Sequence, residues 1–113
     1  MYTMKEVSQT YSLSMYTIRY YDKEGLLPFV KRDQSGRRIF TEEDMEQIGF
    51  ICCLKDSGMP IKDIKDYISL YQNQKMQEAK MILIEHRDKI VSQIKALESN
   101  LRIIEDNIIE GLN

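Results

Sequence analysis

The sequence predicts a mainly α fold: a helix-turn-helix carrying a small β-hairpin wing, then further helices ending in one long helix. Three observations predict it. The 113 residues hold only 2 prolines and 5 glycines and are 30% charged, which suits one compact helical module rather than several domains or a disordered tail. Hydroxyl residues that can cap helices stand at the head of three amphipathic stretches. From Lys75 to about Glu110 no Gly or Pro interrupts a recurring apolar stripe.

The elements follow in order. Thr3-Met4-Lys5-Glu6 has the S/T-x-x-E form of a capping box, so a short helix is expected from about 4 to 11, with Met4, Val7 and Tyr11 on its inner stripe. Ser14 offers a second cap ahead of MYTIRYYDKE, and Gly25 supplies the left-handed residue that ends that helix. Two short helices separated by Ser12-Leu13-Ser14 form the skeleton of a helix-turn-helix. Phe29–Arg32 and Arg37–Phe40 flank Asp33-Gln34-Ser35-Gly36 and read as a hairpin around a glycine turn. Thr41 to Asp44 repeats the capping box, followed by Met45, Ile48, Ile51, Cys52 and Leu54 at helical spacing and closed by Gly58. Pro60 suits the start of a fourth helix, whose Ile61, Ile64, Tyr67, Ile68 and Tyr71 share one face.

In the last stretch Met76, Leu83, Ile90, Ile94, Leu97, Leu101, Ile104 and Ile108 fall into a heptad seam, once Lys80 and Arg87 are admitted at two positions. At 1.5 Å per residue the stretch spans roughly 50 Å, more than a small domain covers with its own core, so a second chain is expected to bury it. The division expected is a winged helix-turn-helix domain over residues 1–72 and a coiled-coil dimerisation helix over residues 73–113. Folding of the long helix back onto its own domain is the competing arrangement.

Residues 1–40 carry 7 Lys/Arg against 4 Asp/Glu and residues 41–113 carry 9 against 14, so a basic first third sits on an acidic body. That asymmetry suggests a local polyanion footprint, although chance clustering on a solvated surface gives the same counts. With Ile18 turned inward, a helical wheel places Tyr21 and Asp22 near the core side and Tyr16, Arg19, Tyr20 and Lys23 outward. Tyr and Arg donate to phosphate oxygens, and Arg also bridges the O6/N7 edge of guanine. With Lys31, Arg32, Arg37 and Arg38 on the hairpin, the chain offers a helix for the major groove and a ribbon for the flanking backbone of double-stranded DNA. The same Tyr and Arg enrichment also suits a protein interface.

The runs Thr17-Ile18-Arg19-Tyr20-Tyr21-Asp22-Lys23-Glu24-Gly25-Leu26-Leu27-Pro28, Gly36-Arg37-Arg38-Ile39-Phe40-Thr41-Glu42-Glu43-Asp44 and Leu54-Lys55-Asp56-Ser57-Gly58-Met59-Pro60-Ile61-Lys62-Asp63-Ile64 resemble consecutive signatures of the MerR family of winged helix-turn-helix transcription regulators. They cover residues 1 to about 70, and the long helix resembles that family's antiparallel coiled-coil dimerisation helix. The resemblance implies a homodimer on a pseudo-palindromic promoter operator, bending and untwisting it so that RNA polymerase reads an over-long spacer. Arg19 and Tyr20 match the family's DNA-contacting Arg-Tyr, Thr17 its helix-face Thr, and Arg38 its wing arginine. Arg37 replaces the more usual aromatic. Tyr16 lies where relatives vary and is a candidate for base preference. Tyr21 matches the motif's second tyrosine, and a packing role and a DNA role both remain open.

Many relatives carry a ligand-binding domain after the coiled coil, and with the last residue at Asn113 no drug pocket is expected. Metal sensing is not expected either: Asn73-Gln74-Lys75-Met76-Gln77 stands where metal-sensing relatives place a cysteine, and no cysteine follows. Phe50 to Pro60 resembles a small branch of the family in which one cysteine, at the position of Cys53, is associated with response to aldehydes and related electrophiles. The plain alternative is that Cys52 and Cys53 are small buried hydrophobes. Adjacent and alone, they exclude a zinc knuckle or a disulfide framework. His86 lies among charges and reads as a solvated or interface residue, and the methionines read as packing.

No Ser/His/Asp arrangement, Gly-rich phosphate loop or carboxylate dyad appears, so no enzyme and no cofactor are expected. The absence of a signal pattern or a long apolar run points to a cytoplasmic protein without a membrane partner. The rival function is a winged-helix protein-interaction module without specific DNA binding.

Overall fold

A computed structural model describes residues 1–111. Helices α1 (Met4–Tyr11) and α2 (Met15–Lys23) come first, then β1 (Lys31–Arg32) and β2 (Arg38–Ile39). Helices α3 (Glu42–Asp56), α4 (Ile61–Gln72) and α5 (Met76–Asp106) follow, and α5 runs on into a π-helical turn at Asn107–Gly111. Three starts are set by the side chains that the sequence singles out. Thr3 Oγ1 accepts from the Glu6 amide while Glu6 accepts from Thr3 N, Ser14 accepts from Thr17 N, and Thr41 and Asp44 form a second reciprocal box. Between α1 and α2 the chain reverses at Ser12, which adopts φ 53°. Ser8 Oγ donates to the Leu13 carbonyl, and Leu13 N donates to Ser8 O at 3.1 Å.

The core is built where these elements converge. Val7 of α1, Ile18 and Tyr21 of α2, Leu26, Phe40, Ile48 of α3 and Ile64 of α4 are all within 1% of full burial. Each such side chain contributes on the order of 1.5–3 kcal/mol through lost apolar exposure. The burial of Asp44 inside this framework is tolerated because its carboxylate accepts from Thr41 N at 2.9 Å.

The hairpin is shorter than its sequence suggests. Only Lys31↔Ile39 and Arg32↔Arg38 pair as strands. Phe29 and Val30 instead pack onto the core, in a turn where Val30 N donates to Leu27 O. Phe40 leaves the ladder to bridge the N-terminal Tyr2, with N–O distances of 2.7 and 2.9 Å, and its ring is fully buried in the core.

The first turns of α5 fold back onto α4. Ala79 is 2% exposed, and Ile82 and Leu83 are half-buried against the core. Leu83, expected to wait for a second chain, is therefore partly covered by its own domain, because α4 and α5 meet in a tight turn at Gln74, whose φ is 59°. Beyond Ile90 the seam is open: Ile94, Leu97, Leu101, Ile104 and Ile108 are 48–67% exposed. Among the described residues no helix is long and apolar enough to cross a membrane.

Candidate nucleic-acid interface

Ile18 and Tyr21 anchor the inner face of α2, which sets what its outer face presents. Tyr16 (78% exposed), Arg19, Tyr20 and Lys23 face solvent. Thr17 is half-buried, its hydroxyl 2.9 Å from Ser14 Oγ at the helix cap. Tyr21, carried as a candidate DNA contact, is 1% exposed and has no surface for a ligand. Its ring belongs to the core, with Lys55 Nζ 5.2 Å from the ring centroid. Tyr20 and Tyr21 are successive residues, about 100° apart on the helix, which is enough to turn one out and the other in.

Local bonds order the tip of the wing. Asp33 Oδ1 accepts from Ser35 N and Arg37 N, both at 2.9 Å, and Arg32 Nη1 donates to Gly36 O at 2.8 Å. Gly36 takes φ 82°, a conformation that a side chain would strain. The wing is fastened to α2 by Arg38, whose Nε donates to Asp22 Oδ2 at 2.6 Å, with Arg32 Nη2 3.7 Å from the same oxygen. Arg38 is therefore a half-buried tether between the wing and α2 as well as a wing cation.

With the N-terminal residues they border a cleft of about 700 Å³ lined by Arg19, Arg37, Arg38 and Lys5, with Asp33 the only acid among the described residues that line it. Four cations around one concavity favour a polyanion and repel a cationic ligand. Lys5 was not among the expected contacts. Its signal was present, since it lies in the basic first third, but the pairing of Tyr2 with Phe40, which joins the N-terminal segment to the wing, is a long-range feature. Lys31 is separated from this group: it lines a different hollow of about 360 Å³, with Phe29, Glu43 and Tyr71.

Two family models match the chain, "MerR HTH family regulatory protein" over residues 2–71 and "MerR, DNA binding" over residues 45–106. The chain belongs to the MerR family. It is 38% identical over 107 residues to an uncharacterised HTH-type transcriptional regulator of Haemophilus influenzae, covering 92% of this chain and 78% of that one. It is 43% identical over 68 residues to the regulator YyaN of Bacillus subtilis, covering 60% of this chain and about half (49%) of that one. Among solved structures it resembles HiNmlR, described as a MerR family regulator lacking the sensor domain, bound to promoter DNA. The TM-score is 0.86, with 34% identity over 96% of this chain and 87% of that one. As a MerR protein the chain is a DNA-binding transcription regulator, and its family is one of regulators rather than enzymes.

Two further features sit where this MerR domain meets its long helix. Cys53 is exposed on α3, whereas Cys52 is half-buried and its thiol is pushed up by desolvation and then by Asp56. The reading of both cysteines as buried hydrophobes therefore fails for Cys53. His86 of α5 is half-buried where α5 meets the end of α3, its Nε2 2.8 Å from Ser57 Oγ. Ser57 Oγ also lies 2.8 Å from the Cys53 carbonyl and 3.1 Å from the Leu54 carbonyl, so the hydroxyl ties the end of α3 to α5, with the donor to His86 set by the imidazole tautomer. Among the described residues no group of three His, Cys, Asp or Glu is placed to hold a metal.

Proposed function

We propose that the protein acts as a homodimer on a pseudo-palindromic promoter operator. In this reading residues 1–72 read DNA and 73–113 pair the two copies. The carrying observation is the cationic cleft of Lys5, Arg19, Arg37 and Arg38 beside an outward stripe of Tyr16, Arg19 and Tyr20. Tyr16, Arg19 and Tyr20 address the major groove, with Thr17 at the entry of the helix. Arg37, Arg38 and Lys5 hold the flanking phosphates, and Lys31 lies further along the strand. Two such halves on one operator distort the spacer, so that RNA polymerase reads promoter elements otherwise too far apart.

The test is operator binding over a range of salt, using the inverted repeat upstream of the gene. Steep loss of affinity with salt, with preference for the repeat over scrambled DNA, supports this reading. A shallow slope with no sequence preference would make the chain a protein-interaction module.

For the input, we propose the exposed Cys53 thiol as the group that meets an electrophile such as an aldehyde or quinone. Cys53→Ser should abolish the transcriptional response while leaving DNA binding intact, and Cys52→Ser should retain it. Equal responses from the two variants would remove Cys53 from the mechanism.

A further inference from the structure

The seam of α5 carries two cations where a coiled coil wants apolar groups, and these decide how a second copy is seated. Heptad lettering places Lys80 and Arg87 at a positions, seven residues apart, and Glu98 and Glu105 at e positions, also seven apart. All four are exposed. Among the described residues Lys80, Glu98 and Glu105 enter no ion pair, and Arg87 bonds its neighbour Asp88, at 3.0 Å in a solvent-exposed contact that is easily exchanged.

We infer that the antiparallel second copy expected on the open seam is seated in the single register that pairs Lys80 with Glu105 of the partner subunit and Arg87 with Glu98 of the partner subunit. This rests on the dimer proposed above and specifies its geometry. In an antiparallel pair each a position packs against a d position of the other chain, on the same flank as the e position that follows. Setting Ile90 against the partner's Ile94 at the two-fold axis brings Leu83 against the partner's Leu101. Arg87 then lies over the partner's Leu97 beside its Glu98, and Lys80 over the partner's Ile104 beside its Glu105. The equal spacing of the two cations and the two acids lets both pairs form at once, each twice, for four contacts per dimer.

Sliding by one heptad in either direction keeps only one of the two pairs in each chain. A parallel in-register pair would face Lys80 with Lys80 and Arg87 with Arg87, which is repulsive. The face that α5 gives to its own domain, through Ala79, Ile82 and His86, lies beside the seam and leaves Lys80 and Arg87 free for the partner.

The test is a charge exchange in the full chain. K80E/R87E and E98K/E105K should each weaken self-association by on the order of 30-fold, because four attractive contacts become repulsive. An equimolar mixture should restore a dimer of mixed composition, resolved by mass with one variant tagged. Direction is read in a C52S/C53S background: L83C and L101C should form a mixed disulfide dimer when combined and none when alone. A wild-type chain that is monomeric at micromolar concentration overturns the dimer itself. A wild-type dimer whose variants fail to complement, or whose L83C crosslinks to itself, overturns the register alone.

Discussion

Arg38 on the wing donates through Nε to Asp22 on α2 at 2.6 Å, so the hairpin and α2 are held to each other chiefly by this charge-assisted bond, with Arg32 more distant on the same oxygen. The bond has two consequences of opposite sign for DNA. It fixes the angle between helix and wing, and it neutralises a cation that would otherwise act at full strength on phosphate.

Asp22→Asn should therefore lower thermal stability by about 1 kcal/mol while making the salt dependence of operator binding steeper by roughly one unit, since one more effective positive charge faces the backbone. Calorimetry and a salt titration check the two halves separately. An unchanged salt slope would mean that Arg38 does not reach phosphate.

Arg19→Ala and Arg38→Ala should weaken binding by different routes. Arg19 is exposed on the outward face of α2, so its loss should cost on the order of 1–3 kcal/mol in operator affinity and relax base preference, with stability unchanged. Arg38→Ala should weaken all sequences alike and also destabilise the domain, because it leaves the Asp22 carboxylate half-buried without its closest partner. Competition binding with single-base operator variants separates them. Wild-type affinity in both mutants would remove the cleft from the DNA interface.

The element order was legible because helix starts are local: Thr3 with Glu6, Ser14, and Thr41 with Asp44 each carry their signal within four residues. The wheel on α2 likewise gave the right outward face from Ile18 alone. What the chain hides are pairings between distant residues. Tyr2 with Phe40, Asp22 with Arg38, and Ser57 with His86 depend on how elements meet, and no spacing rule encodes them. Tyr21 shows the intermediate case: its motif suggests DNA, its wheel position suggests the core, and burial decides for the core. Leu83 fitted the seam by period, yet the sharp α4–α5 turn gives part of it to its own domain.

Ile94→Glu combined with Leu101→Glu should produce monomers and weaken operator binding. Both side chains lie on the open seam, where a second chain would bury the introduced carboxylates without cationic partners. Light scattering across micromolar concentrations reads the mass directly. Retention of the dimer mass would show that the chains associate through another surface.

Gly49→Ala sets helix propensity against packing. Inside α3, alanine is favoured over glycine by about 1 kcal/mol where space permits. Here a Cβ would stand 3.0 Å from Tyr11 Oη and 3.1 Å from a ring carbon of the same residue. Tyr11 cannot swing aside cheaply, because its hydroxyl donates to the Met45 carbonyl at 2.6 Å, a bond that locks α1 onto α3. Overpacking against a fixed ring costs roughly 1–3 kcal/mol and outweighs the propensity gain, so the variant should melt lower, by about 5 °C for a net loss near 1 kcal/mol. In a Tyr11→Phe background the nearest atom and the tether are both gone, and the same substitution should cost less, which a double-mutant cycle measures. A Gly49→Ala protein more stable than wild type would show that Tyr11 moves freely and that the α1–α3 contact is softer than the bond geometry requires.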